Sequence, residues 1–427
     1  MFKLKKFVFK QIDDISEKGI KILPFKTALA IGKLFKLTLL VLFVFFVPFI
    51  FLIRKIFNFH FYELQTDRIG YYCSWEPFIM ITHFKKIEKK KEKQICFIYH
   101  NNIIANKYLT ELYKNKMKSF GHYYFLKGYF FWNILTSSYE LWTKNKIKTF
   151  FKNRVITYPM FVKTPAILKI PQNDIVKGEH LLKSLGVPKN SKWICIHNRD
   201  SSYLTYQQKK GYLPKVNFSY HNIRDFSIND LIPAADYFTK KGFYVLRTGV
   251  TSNEKLITKN PKIIDYVNSK YRSDFGEIFL FSNCEFYFGS TAGCWKIAKF
   301  FRKPAFLING FGFADLFLMP WKYPGIFKKL KSKQNNKFLS VTDMVKDNLN
   351  HLTDKNLLDK KGIEVVNNTP DEILDLAIEA VEYYKKNNIN SPKKLDLFFN
   401  EVSKGSLKNY KYYKNPIGKK FLGELNI

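Results

Sequence analysis

The second half of the chain alternates short apolar strands with amphipathic helices, and this rhythm limits the possible folds more than any other feature. Trp193–His197 is a near-continuous apolar run, the pattern of a strand covered on both faces in a parallel sheet. Residues 243–247, 263–267, 285–288, 304–309 and 362–366 read as further strands. Helical patterns lie between them at 230–241, at 274–281 and from the turn 289–293 to about Phe301. The last clear helix opens with Thr369-Pro370-Asp371-Glu372, a hydroxyl cap followed by proline at the first helical position and glutamate at the third. Strand and helix in strict alternation predict a doubly wound α/β domain. The first half repeats the theme more loosely, with strands at 59–64 and 95–99 and helices at 104–116, 128–142 and 174–185.

At 427 residues the chain is long enough for two domains of common size. Composition shifts divide it into a membrane-associated segment 1–56, an N-terminal α/β domain 57–170, a C-terminal α/β domain 171–386 and a basic peripheral tail 387–427. The first boundary follows a charge-free stretch, residues 37–53, flanked by lysines before and Arg54 and Lys55 after. Seventeen residues is the short limit for a bilayer span, basic flanks on both sides keep both ends in one compartment, and Pro48 kinks the helix. A monotopic or re-entrant anchor at the cytoplasmic face of the inner membrane is therefore expected. Five cysteines without a C-x-x-C pair exclude a disulfide scaffold and a structural zinc site.

The net charge of +36 suggests nucleic acid, yet only 8 of the 71 basic residues are arginine and the lysines are spread over the whole chain. With no zinc finger, RRM signature or basic-region heptads, the charge points to anionic membrane and phosphate-bearing ligands, with no nucleic-acid partner. The scarcity of arginine makes its placement informative: Arg199, Arg224, Arg247 and Arg272 fall within one stretch. A guanidinium grips phosphate at two points, which lysine cannot copy.

Ligands of open α/β sheets bind beyond the carboxyl ends of the strands. There the sequence places His197, Arg199, Asp200 and Tyr203 after one strand, Arg247 and Gly249 after another, and Gly289, Ser290, Thr291 and Gly293 after a third. Gly289–Gly293 is a phosphate cradle by type, with glycines for close approach and hydroxyls to donate. His197 or Asp200 is the expected general base. No D-x-D triplet, G-x-S-x-G or H-E-x-x-H occurs, so neither a metal site nor a cofactor is expected.

In combination these segments resemble a bacterial family of glycosyltransferases. Ile196 to Leu204 resembles its H-x-R-D-x-x-Y-L motif, Tyr220 to Asp225 looks like its [YS]-R-[ND] segment, and Gly242 to Gly249 looks like its G-x-x-V-x-R-x-G strand. Arg272 to Phe275, with Asp274, fits the next pattern, and Phe288 to Gly293 resembles the F-x-G-[ST]-[ST]-[SA]-G turn, one position shorter. Arg68-Ile69-Gly70 resembles its R-I-G-H motif, with Tyr71 in place of the histidine. The His-x-Arg segment is also similar to that of fucosyltransferase-type enzymes. The resemblance implies a GT-B-like fold, two Rossmann-like domains facing a cleft, and metal-independent transfer of a sugar from a nucleotide-sugar donor to a surface glycan or lipid-linked acceptor. It implies that Arg199 and Arg247 contact the diphosphate, helped by Arg224 and Asp274, while Arg68 and Gly70 face the cleft from the N-terminal domain. A pyruvyl transferase on a similar scaffold and a non-catalytic polyanion-binding protein are the alternatives.

Overall fold

A computed structural model describes residues 60–64, 66–73, 95–99, 103–118, 123–126, 165–213, 216–311, 322–349, 354–386, 393–404 and 414–427, with a few helical positions between 24 and 56. Most of the charge-free run 37–53 and the helix expected at 128–142 lie outside these residues. Among the described residues no helix is long and apolar enough to cross a membrane.

Among the described residues, two separate parallel sheets form. The first has the order β1-β2-β3, from β1 (His60–Leu64), β2 (Ile95–Tyr99) and β3 (Tyr123–Leu126). Helices α1 (Ile69–Tyr72) and α2 (Lys107–Lys118) belong to the same part of the chain. After α3 (Gln172–Ser184) comes the larger sheet, made of β4 (Trp193–His197), β5 (Tyr244–Arg247), β6 (Ile263–Asp265), β7 (Phe286–Ser290), β8 (Ala305–Gly310) and β9 (Gly325–Phe327). Its order is β6-β5-β4-β7-β8-β9, and every pairing is parallel. Helices α4 (Ser202–Lys209), α5 (Ile232–Lys240), α6 (Asp274–Asn283) and α7 (Trp295–Phe300) alternate with these strands. The fold is thus mixed α/β around a six-stranded parallel sheet, as the alternation predicts.

Both faces of this sheet are covered, which is why its strands are apolar throughout. Phe286 meets Phe238 of α5 and Phe306 of β8 with ring centroids 5.4 and 5.3 Å away. The next residue, Tyr287, points to the opposite face and meets Phe281 of α6 at 5.9 Å. Ser273 caps α6 by accepting from the Gly276 amide at 3.0 Å. Every residue from Gly276 to Ser282 is buried, because α6 also packs against α2, α3 and α7.

Two expectations need correction. β7 runs through Gly289 and Ser290, two residues beyond the expected strand end. Gly289 pairs with His197, and a Cβ there would lie 2.3 Å from the His197 carbonyl oxygen, so a side chain would force β4 and β7 apart. The strand expected at 362–366 forms as β11 (Ile363–Val366), but it pairs antiparallel with β10 (Lys329–Ser332) and lies outside the main sheet.

Beyond α8 (Val341–Lys346) and α9 (Lys355–Lys360), α10 (Pro370–Lys386) opens with the reciprocal bonds expected of Thr369 and Glu372. The tail expected to be peripheral is instead built into the core through α11 (Lys394–Lys404) and α12 (Lys419–Glu424). Leu395, Phe398, Phe399 and Val402 follow helical spacing and are all buried, and Phe398 and Phe421 both meet Phe327 at the end of β9.

Candidate functional site

The sheet order sets the position of the site. From β4 the chain proceeds outward to β5 and β6, then returns to start β7 on the other side of β4. The loops leaving β4 and β7 therefore diverge, the topology that places the ligand crevice of an open parallel sheet beyond these two carboxyl ends. His197 and Ser290, the last residues of these strands, mark its floor.

His197 is half-buried there. Its Nδ1 lies 2.7 Å from the Thr248 carbonyl oxygen. A carbonyl only accepts, so Nδ1 carries the proton and Nε2 keeps its lone pair. Burial pushes the imidazole down to about 4, and the charges of Arg247 and Arg199 act in the same sense against the pull of the Thr248 carbonyl and Asp200. A neutral ring with a fixed tautomer results. Gly249, at φ 148°, lies along this ring, and a Cβ there would sit 3.3 Å from Cε1 and Nδ1.

The remaining residues after β4 are engaged within the protein. Arg199 pairs with the Asp225 carboxylate and donates to the His221 carbonyl at 3.2 Å. Burial outweighs this guanidinium and lifts Asp225 to about 6. Asp200 accepts from the Ser202 amide at 2.9 Å and from the Ser202 hydroxyl with one oxygen, and from the Asn253 amide at 2.9 Å with the other. It satisfies the first amide of α4 and ties down a loop, so both of its oxygens already accept hydrogen bonds within the protein. Arg247 is 1% exposed and donates to the Glu254 carbonyl at 2.6 Å, to Asp265 at 3.3 Å and to Asn198 at 3.3 Å. The arginines expected to contact diphosphate are thus both bound to internal partners, and Arg247 does not reach the crevice.

Arg224 and Arg68 differ. Arg224 is half-buried in the 3-10 turn Ser219–Arg224, and Arg68 is exposed at the start of α1. Neither guanidinium has a hydrogen bond or ion pair among the described residues. Burial pushes His221 down, and the charges of Arg199, Arg224 and Arg68 act in the same sense against Asp354. Arg68 also acts on half-buried Tyr203, whose hydroxyl accepts from Gln207 at 2.9 Å. Sequence reasoning missed the buried Lys328, which donates to the Ile223 and Asp225 carbonyls at 2.8 and 2.9 Å. Its signal was its position directly after β9, a strand the pattern did not reveal.

The turn after β7 is shorter than expected, running from Thr291 to Cys294 before α7. Thr291 and Gly293 are half-buried, while Ser290 is buried, its hydroxyl 3.4 Å from the Ala292 amide. Gly70 of α1 meets this turn: a Cβ on Gly70 would lie 3.0 Å from Gly293 Cα, and one on Gly293 would lie 3.1 Å from the Gly70 nitrogen. Two segments more than 200 residues apart interlock only because both lack side chains. Gly70 therefore stands against the turn, two residues along the chain from Arg68. Asp274 does not. It accepts from the Lys107 amide at 2.9 Å, and its carbonyl accepts from Asn106 at 3.0 Å. Arg272 is held by Asp274 and by Glu277, a carboxylate that burial pushes up. These residues join α6 to the segment before α2.

No family model and no curated protein matches this chain. Among solved structures it is similar to a family 9 glycosyl transferase from Veillonella parvula, with 10% identity, 59% of this chain and 80% of that one covered, and a TM-score of 0.34. It is also similar to the iron-containing dodecameric glycosyltransferase TibC from enterotoxigenic E. coli, with 13% identity, 63% and 62% covered, and a TM-score of 0.33. A structure of the heptosyltransferase TibC with ADP-D-beta-D-heptose gives 12% identity, the same coverage and a TM-score of 0.30. The chain thus spans less than two thirds of the E. coli protein. At these scores the likeness decides nothing about function.

Proposed function

We propose that this protein is a glycosyltransferase that moves a sugar from a nucleotide-sugar donor to a glycan or lipid-linked acceptor at a membrane surface. One observation carries this reading: Arg68 and Arg224, whose guanidinium groups have no partner among the described residues, both act with Arg199 on His221 just beyond β4, and Gly70, two residues after Arg68, interlocks with the small-residue turn that follows β7. In sugar transfer the departing nucleoside diphosphate gains negative charge as the glycosidic bond breaks, and preorganised cations and N–H groups stabilise that charge. Arg68 and Arg224 are the guanidinium groups available for it, and the Thr291–Gly293 segment offers backbone approach. His197, neutral and with Nε2 unprotonated, accepts the acceptor hydroxyl proton as the new bond forms. Arg199, Arg247 and Asp200 hold the loops that carry these groups. The motifs from residue 196 to 293 support the same family.

The two separate parallel sheets accord with a two-domain division at residue 170, with the donor held mainly by the second unit. Exposed Ile31, Leu34, Phe35, Leu52 and Ile56, in a chain of charge +36, accord with docking on anionic lipid at the cytoplasmic face. Thermal-shift screening of the full chain against nucleoside diphosphates, nucleotide sugars and phosphoenolpyruvate tests the reading, followed by nucleoside diphosphate release with lipid-linked acceptors. A selective nucleotide-sugar hit with release supports it. Binding of phosphoenolpyruvate alone turns the assignment to pyruvyl transfer, and no binding in the panel refutes both.

A further inference from the structure

Lysine is the generic surface cation of this chain, yet among the described residues Lys299 and Lys328 are buried. Lys328 follows β9 directly, and its amide donates to the Gly310 carbonyl at 2.9 Å, so its backbone is fixed to the end of β8. From there its ammonium crosses to the turn Ser219–Arg224 and donates to the carbonyls of Ile223 and Asp225, the two residues flanking Arg224. Arg199 reaches the same turn from the end of β4 and binds the His221 carbonyl and the Asp225 carboxylate. Two cations from two strand ends therefore hold four acceptors on either side of a third cation. The turn is otherwise a short 3-10 helix without a side-chain cap, too brief to keep a fixed shape unaided.

We propose that Lys328 is a positioning residue: by bridging the carbonyls on both sides of Arg224 it fixes the direction in which that guanidinium meets the diphosphate of the donor. This rests on the glycosyltransferase reading. The arrangement turns a flexible surface arginine into a preorganised one, and a phosphate contact is sensitive to displacements on the order of 1 Å. The groups facing the ammonium are Asp225 and Asp230, which favour its charge, and Arg199 and Arg224, which oppose it. Burial adds to the opposition, so Lys328 sits at about 7 and its clamp weakens as pH rises through neutrality.

The test measures binding of inorganic pyrophosphate and of the best nucleoside diphosphate to the full chain, with amide hydrogen exchange read over 219–226. Lys328→Met is expected to weaken diphosphate binding on the order of 10- to 100-fold and to raise exchange in that segment. Between pH 6 and 8.5 the ratio of wild-type to Lys328→Met affinity is expected to fall, since the ligand's own titration is common to both proteins. Arg224→Ala, which removes a side chain with no partner among the described residues, should lose affinity to a similar degree without loss of fold. It keeps the proposal testable even if Lys328→Met does not fold. Wild-type binding that survives either substitution unchanged overturns this proposal alone. Absence of binding in the wild type overturns the glycosyltransferase reading, and this proposal with it.

Discussion

Arg247→Lys separates a structural arginine from a ligand-binding one. The buried guanidinium donates to Glu254, Asp265 and Asn198, and through Asn198, which itself donates to the Phe226 carbonyl at 2.9 Å, it fixes the loop after β4. A lysine ammonium keeps the charge but reaches one of these acceptors well, leaving about two charge-assisted bonds unmade at roughly 1.5–3 kcal/mol each. Asp265 is 23% exposed and recovers part of the loss from water, so the net destabilisation is about 2–4 kcal/mol. For a chain of this size that lowers the melting temperature on the order of 2–5 °C. Calorimetry gives the stability, and titration with a nucleoside diphosphate well below both melting points gives the affinity. The expected result is a clear loss of stability with binding retained within about threefold. A variant within about 0.5 kcal/mol of wild type that has lost binding more than tenfold would refute the structural role and restore Arg247 as a diphosphate contact.

Further predictions concern the crevice and the membrane. Gly293→Ala places a methyl group 3.1–3.3 Å from backbone atoms of Gly70, so denaturant melts should show a loss of about 1–3 kcal/mol; no loss would mean that α1 does not seat on the turn. His197 is held at about 4 in the folded protein against an ordinary 6.5, so the unfolded chain binds the extra proton first as pH falls. Its contribution to stability is present above pH 6.5 and is lost progressively down to pH 4, and His197→Gln should flatten the stability curve in that window. Asp225, raised to about 6, works in the opposite sense there, so the variant-to-wild-type difference is the quantity to measure. Vesicles containing anionic lipid should sediment the full chain more strongly than neutral vesicles, and equal sedimentation on both would remove the electrostatic part of the membrane reading.

Much of the fold was legible along the chain. The strand Trp193–His197 and the helix opening at Thr369 stand where the pattern puts them, because burial on two faces demands unbroken apolar runs and a helix start demands a cap. A candidate site was readable as a set of strand ends, since ligand-binding loops leave an open parallel sheet at its carboxyl edge. Roles within that set were not. Arg199, Arg224 and Arg247 look alike in sequence, yet one pairs with Asp225, one is buried against Asn198 and Asp265, and one has no partner among the described residues. Which acid reaches which arginine depends on neighbours 18 to 49 residues away, and periodicity carries no such information.

Local pattern established that a parallel α/β sheet forms and that polar residues crowd its carboxyl edge, because strand, helix and turn preferences act over a few residues. Tertiary packing alone decided that the β4 and β7 loops diverge, that Gly70 locks against Gly293, and that Lys328 holds the turn bearing Arg224. Those outcomes depend on distances between segments far apart in the chain, which exist only once the sheet has closed and its helices have taken their faces.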